Sequence, residues 1–255
     1  MNRIIVFALM FFCMTMQIEA QTLSEEEVTA KMYQAFELNK AAKKAEALEL
    51  FLIVGENTKQ QRNEGERQVY VCSQTMACQC YELLGRYKEG YLLGKSLLQG
   101  KLNDTERKDV GHLYAMNGYM YACEFIQRDE KGRADYKRGR ELISEILPYS
   151  DGQVKEYAET KIPLSWYFEG AQYAMTQSYD EALSSYEEAL NGFRDLGRVS
   201  EEVDVLSGIA SVKAHLCKFD EAKRVYYQAF VLAHQNGKVN KQMDVLRELW
   251  SLGTS

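Results

Sequence analysis

Cysteine, histidine and clustered carboxylates are the side chains of this sequence best equipped for chemistry, and their spacing tests what they could do. Cys78 with Cys80, and His215 with Cys217, are residue types that hold zinc or carry thiol redox chemistry. Near neighbours on a helix face different sides, so neither pair turns both members toward one ion. The two pairs also belong to well-separated stretches of the chain, which has only three histidines in all. A Gly-rich phosphate loop, a nucleophile elbow and a His-Glu-x-x-His zinc helix are all missing from the sequence. The acidic runs, Ser24 to Glu27 and Glu201-Glu202, stand at the starts of helical segments, where carboxylates complement the helix dipole; they are caps before they are catalysts. No catalytic residue, cofactor or metal is therefore expected. A redox or metal enzyme stays as the rival of another class, one that would require zinc or a reactive thiol in the purified protein.

The elements around these residues are helices. Only Pro148 and Pro163 interrupt a chain rich in Ala, Leu, Glu and Lys, which favours long helices joined by short polar loops. At 46% hydrophobic and 27% charged, the 255 residues can bury one domain or a short helical array. A net charge of -6, with no Lys/Arg cluster, excludes a nucleic-acid backbone as the expected partner. The first twenty residues differ: Arg3, an apolar run from Ile4 to Met16, then Ala20 before Gln21. That layout reads as a signal peptide over residues 1–20, with residues 21–255 as the mature domain in a periplasmic or extracellular location. An uncleaved anchor is the alternative, and the bulky Phe11-Phe12 before Cys13 argues against lipidation. Five cysteines remain, Cys72, Cys78, Cys80, Cys123 and Cys217; the odd count leaves at least one thiol unpaired, and small apolar residues buried between helices is the simplest view of them. No later apolar stretch is long enough to insert stably in a membrane.

Self-similarity organises the rest. Tyr179-Asp180-Glu181-Ala182, running to Leu190, is matched without a gap 40 residues later by the stretch from Phe219 to Phe230. A related pair runs from Tyr87-Lys88-Glu89-Gly90 to Leu98 and from Tyr136-Lys137-Arg138-Gly139 to Leu147, with a weaker copy at Lys44-Ala45-Glu46-Ala47. The anchors at 44, 87, 136, 179 and 219 lie 43, 49, 43 and 40 residues apart, and an amphipathic segment precedes each. The unit is a pair of helices.

These residues resemble the tetratricopeptide repeat, whose first helix carries a large residue, a small one four positions on and an aromatic three later. Trp166, Gly170 and Tyr173 match it, as do Tyr114, Gly118 and Tyr121, with Cys78 and Tyr81 for the second copy. The first and fifth copies are degenerate, Lys213 standing where an aromatic is expected. An insertion from Asp129 to Ala134 accounts for the longer third copy. The resemblance implies an all-α, right-handed α-solenoid of about five helix pairs plus a terminal helix. The small residues would let paired helices approach, and Tyr173, Tyr186 and Tyr226 would fill the gaps between successive helices. Pro163 falls where a first helix would begin, which makes Val154 to Lys161 a separate short helix. Leu246 and Leu249 belong to a sixth first helix with no partner behind it, either a cap or the mark of a longer chain.

In such solenoids the concave groove is lined by first-helix side chains pointing away from the second helix. That register selects Tyr33, Phe36, Met76, Gln79, Met116, Tyr119, Tyr167 and Phe168 as the partner-binding groove, an aromatic and Met-rich surface suited to extended or apolar polypeptide. The alternative is that longer helices or a terminal segment cover it. The family's carboxylate clamp needs Lys and Asn where Met32, Phe36 and Met76 stand, so a chaperone-tail binder is disfavoured. The expected function is an exported, non-catalytic scaffold for a protein or peptide. The runner-up is the extracytoplasmic sensory portion of a bacterial membrane regulator with a kinase or DNA-binding output. Oligomeric state is left open.

Overall fold

The computed structural model describes residues 23–127 and 134–253; the expected signal peptide lies outside them, as does all of the 129–134 insertion except Ala134. Helix starts follow from local chemistry. Ser24 Oγ accepts the Glu27 N–H at 3.2 Å while Glu27 Oε2 accepts the Ser24 N–H at 2.8 Å, a reciprocal cap that Asn103 and Glu106 repeat. Glu201 and Glu202 likewise occupy a first turn.

The described residues form eleven α-helices and no strand. They pair as α1 (Glu25–Lys40) with α2 (Lys44–Thr58), α3 (Glu64–Leu83) with α4 (Tyr87–Leu98), and α5 (Asp104–Ile126) with α6 (Tyr136–Ile146). The series continues with α7 (Gly152–Met175) and α8 (Tyr179–Asp195), then α9 (Val199–His215) and α10 (Phe219–Gln235), and ends on α11 (Val239–Gly253). The result is an all-α solenoid of five hairpins plus a terminal helix. Each helix packs on its sequence neighbours; from α3 onward each odd-numbered helix also packs on the next odd one, while no two even-numbered helices pack to that extent. The odd helices are therefore the crowded inner row of the curve and the even helices the outer row.

Packing explains the small residues. Tyr186 of α8 is buried between α7 and α9: a Cβ added to Gly170 would stand 2.9 Å from its Cδ1, and one added to Gly208 2.8 Å from its Cζ. Gly118 of α5 is closed off in the same way by Ile146 of α6, whose Cγ2 would lie 2.5 Å from an added Cβ. Ala182 and Ala222 are fully buried, Tyr226 is buried and Tyr173 half-buried against the same core.

One expectation is overturned. Pro163 does not begin a helix, and Val154 to Lys161 is not a separate one, because α7 runs unbroken from Gly152 to Met175 through the proline. The missing N–H removes one backbone hydrogen bond. Against that loss the ring is buried on Gly192 of α8, where even one added methyl would come within 2.8 Å of Pro163 Cβ. The flanking residues anchor both sides, Ile162 in the core built by α4–α7 and Leu164 in the core built by α7–α11. The cysteines also depart from the simplest view: Cys78, Cys80 and Cys123 are buried, whereas Cys72 and Cys217 are exposed, and all five are free thiols.

Candidate functional site

All eight residues selected by register lie on the inner-row helices α1, α3, α5 and α7, but in different degrees of cover. Tyr33, Gln79 and Phe168 are exposed. Phe36 is half-buried, its ring edge-on to Phe51 of α2 at 5.4 Å, and Met76 packs into the same core cluster. Met116 and Tyr119 pack against the next cluster along, and Tyr167 is tilted between Phe168 at 5.7 Å and Tyr186 at 5.8 Å. The structure thus joins Phe36 with Met76, Met116 with Tyr119, and Tyr167 with Phe168, as three successive apolar stations along the row.

Tyr157 belongs with them and was not selected. It lies on the first half of α7, half-exposed, with its ring stacked on Tyr119 at 6.2 Å. Ending a helix before Pro163 hides it; only an unbroken α7 carries Tyr157 alongside α5. Leu83 and Met175, the last residues of α3 and α7, are exposed on the same helices.

Polar contacts link neighbouring helices of the array. Lys241 Nζ of α11 reaches Asp204 Oδ2 of α9 at 2.6 Å, and burial, followed by the Asp204 charge, pushes the nearby Tyr167 phenol above its ordinary range. His112 Nδ1 lies 2.9 Å from Asp151 Oδ1 at the junction of α5 with the start of α7. Burial raises the Glu82 carboxyl on α3, and His112 opposes that rise. The Tyr119 hydroxyl is pushed up by burial as well. These phenols stay protonated at neutral pH and act as hydrogen-bond donors on aromatic platforms.

The thiols point the same way. Burial drives Cys78 up to about 12 and raises Cys72, Cys80 and Cys123, which is opposite to the lowered value a nucleophilic or redox thiolate needs. His215 stacks on Tyr179 at 5.9 Å, and Cys217 forms the turn behind it, a hairpin array away from Cys78 and Cys80. Among the described residues no three His, Cys, Asp or Glu side chains converge as a metal site would require. No helix among them is long and apolar enough to cross a membrane.

The class that the fold and this row define is a TPR-like helical-repeat array. No family model matches the chain, and no curated protein does. Among solved structures it is similar to a thermophilic TPR protein of Thermus thermophilus, at 17% identity over 89% of this chain and 100% of that one, with a TM-score of 0.33. It is similar also to RapI in its apo form, at 14% identity over 83% and 72% of the two chains and a TM-score of 0.34. A complex of the TPR2AB domain of yeast Sti1 with pHSP90 matches at 9% identity over 90% of this chain and 100% of that chain, with a TM-score of 0.36. The chain's own stacked hairpins define its fold.

Proposed function

We propose that this protein is an exported, non-catalytic scaffold that holds an extended protein or peptide segment along its inner row of helices. The observation that carries the reading is the set of aromatic and thioether side chains left open to solvent on the inner row, Tyr33 on α1 and Tyr157, Phe168 and Met175 along α7. An open row of this kind offers separated apolar footholds and phenolic donors to an extended chain. Its chemistry suits apolar side chains of an extended chain, with Met175 and Met76 adapting to their shape. The first twenty residues are read as the export signal, cleaved after Ala20.

Selection from a displayed peptide library, followed by fluorescence anisotropy on the recovered peptides, tests the groove. Phe168→Ala with Tyr157→Ala is expected to weaken binding at least tenfold while the helical circular-dichroism signal stays unchanged, because both side chains lie largely outside the cores. Failure to recover any peptide, or equal binding by the variant, refutes the assignment. The mass of the protein recovered from an export-competent host tests the leader, which requires Gln21 as the first residue.

A further inference from the structure

The fourth and fifth hairpins repeat one scaffold but present two different outer surfaces. Aligned through the 40-residue period, Asp180, Glu181, Ala182, Tyr186 and Ala189 of α8 recur unchanged as Asp220, Glu221, Ala222, Tyr226 and Ala229 of α10. The alanines and tyrosines among them are buried in both helices, so packing holds them. The outward positions between them are rewritten. Where α8 carries Leu183, Ser184, Glu187 and Glu188, α10 carries Lys223, Arg224, Tyr227 and Gln228, so two carboxylates give way to two cations and an aromatic ring. All four residues of α10 are exposed, Tyr227 at 63%, and no core contact calls for them. Residues three and four apart on a helix share a face, which puts both cations beside the Tyr227 ring.

That face borders a cavity. Lys223, Arg224, Tyr227 and Gln228, together with Leu249 of α11, line an open, mainly apolar hollow of about 610 Å³. Its wide mouth suits a side chain carried on a surface segment of another protein. Tyr227 and Leu249 supply apolar walls, and the Gln228 amide is both donor and acceptor for a passing main chain. Among the described residues neither cation forms an ion pair. Glu221, the acid on the same turn, is taken by Lys213 of α9 at 2.7 Å, and Arg224 Nε donates to the Asp220 main-chain oxygen at 3.3 Å. Exposed cations beside an apolar wall favour a ligand that brings carboxylates and a hydrophobic side chain together. The rest of the molecule sharpens that preference: the chain carries -6 and the equivalent α8 surface is acidic, so an acidic segment is repelled elsewhere and drawn here. Two cations are too few to hold a nucleic-acid backbone against its counterions.

We infer that the α10–α11 hollow docks an acidic segment of a partner protein, which seats an aromatic or aliphatic side chain between Tyr227 and Leu249 and sets its carboxylates on Lys223 and Arg224. The inference is independent of the inner-row reading, whose residues it does not use. The probe is a fluorescein-labelled peptide of about ten residues, glutamates flanking a Leu-Phe pair, titrated with the full chain to about 100 μM and read by anisotropy. Two control peptides carry Lys for Glu, or Ala-Ala for the central pair. The acidic peptide should bind at least about tenfold more tightly than either control, and more weakly as salt is raised. Lys223→Glu with Arg224→Glu should reverse the preference between the acidic and the basic peptide. Tyr227→Ala should weaken binding roughly tenfold with helix content unchanged, since its side chain lies outside the core. Phe168→Ala with Tyr157→Ala should leave the titration as it was, which separates this site from the inner row. No binding by the acidic peptide, equal binding of all three peptides, or indifference to the α10 substitutions would each overturn the proposal. So would sedimentation velocity showing self-association that the same substitutions abolish, because a second copy would then fill the hollow.

Discussion

Tyr186 stands between two glycines that leave no room for a methyl group, so its ring sets the spacing of α7, α8 and α9 together. Gly170→Ala would press on that ring and on the Ala182 carbonyl, and an overpacked core of this type loses about 1–3 kcal/mol. Tyr186→Ala leaves a void instead and should cost about 3–5 kcal/mol, both read by urea denaturation. Glu145 of α6 makes a different kind of contact. Its carboxylate accepts hydrogen bonds from Tyr114 at 2.7 Å and Tyr91 at 2.9 Å and pairs with Lys95 at 2.6 Å, tying α4, α5 and α6. Burial works against the charge, but Lys95 and the two phenols outweigh it and hold the carboxyl below its ordinary range. A lowered folded value means the contribution is complete above the unfolded value of about 4.3 and is lost as pH falls through the folded one. Stability should therefore drop below about pH 4.5 more steeply in the natural protein than in Glu145→Gln, as successive melts between pH 7 and pH 3 would record. Parallel pH profiles for the two proteins would remove Glu145 from the account.

At the level of elements, the second half of the chain is metrically regular. Helices α8, α9 and α10 are each 17 residues long, and the left-handed turn residues between them fall at Gln177, Gly197, Cys217 and Gly237, twenty apart. Two of those four turns use glycine and two do not, although the backbone is the same at each, with φ from 58° to 64°. Left-handed backbone is strained for a side-chain-bearing residue by about 1 kcal/mol. Gln177→Gly and Cys217→Gly should consequently raise the thermal midpoint, and Gly197→Ala and Gly237→Ala lower it, with thermal melts of the four variants checking the sign. The repeats themselves were legible because their signals are local: a cap such as Ser24 with Glu27, a small residue such as Gly170, an aromatic three positions on. The continuity of α7 was not, since a proline's tolerance depends on Gly192, which is 29 positions further along the chain. That one contact hid Tyr157 and with it the middle of the inner row. Nor does register alone tell Tyr33, which is open, from Phe36, which Phe51 half covers; that distinction is made by α2, not by α1.

The described residues form a series of cores, and the two largest meet inside α7, where Ile162 closes one and Leu164 opens the next. A linear array transmits stability only through neighbouring interfaces, so the cooperativity of the chain depends on what crosses this junction. Arg140 of α6 crosses it. Its guanidinium lies over the Trp166 ring at 3.3 Å, donates from Nη2 to Glu169 Oε2 at 2.8 Å and from Nη1 to Ser165 Oγ at 3.3 Å, all on the second half of α7. Both members of the ion pair are largely buried, at 10% and 17% side-chain exposure, so losing the cation strands a carboxylate away from water. Arg140→Met should cost roughly 3 kcal/mol, and Arg140→Met with Glu169→Leu should recover much of it by removing the stranded charge. The sharper expectation concerns cooperativity. With Trp250 replaced by Phe, Trp166 reports the junction by fluorescence, whereas far-ultraviolet circular dichroism reports every helix, and the two urea transitions should coincide when Arg140 is present. In Arg140→Met the fluorescence transition should come first, as α7–α11 and the hairpins before it unfold separately. If the two transitions still coincide, the junction is held by the apolar contacts of Ile162, Pro163 and Leu164 alone, and Arg140 contributes stability without coupling.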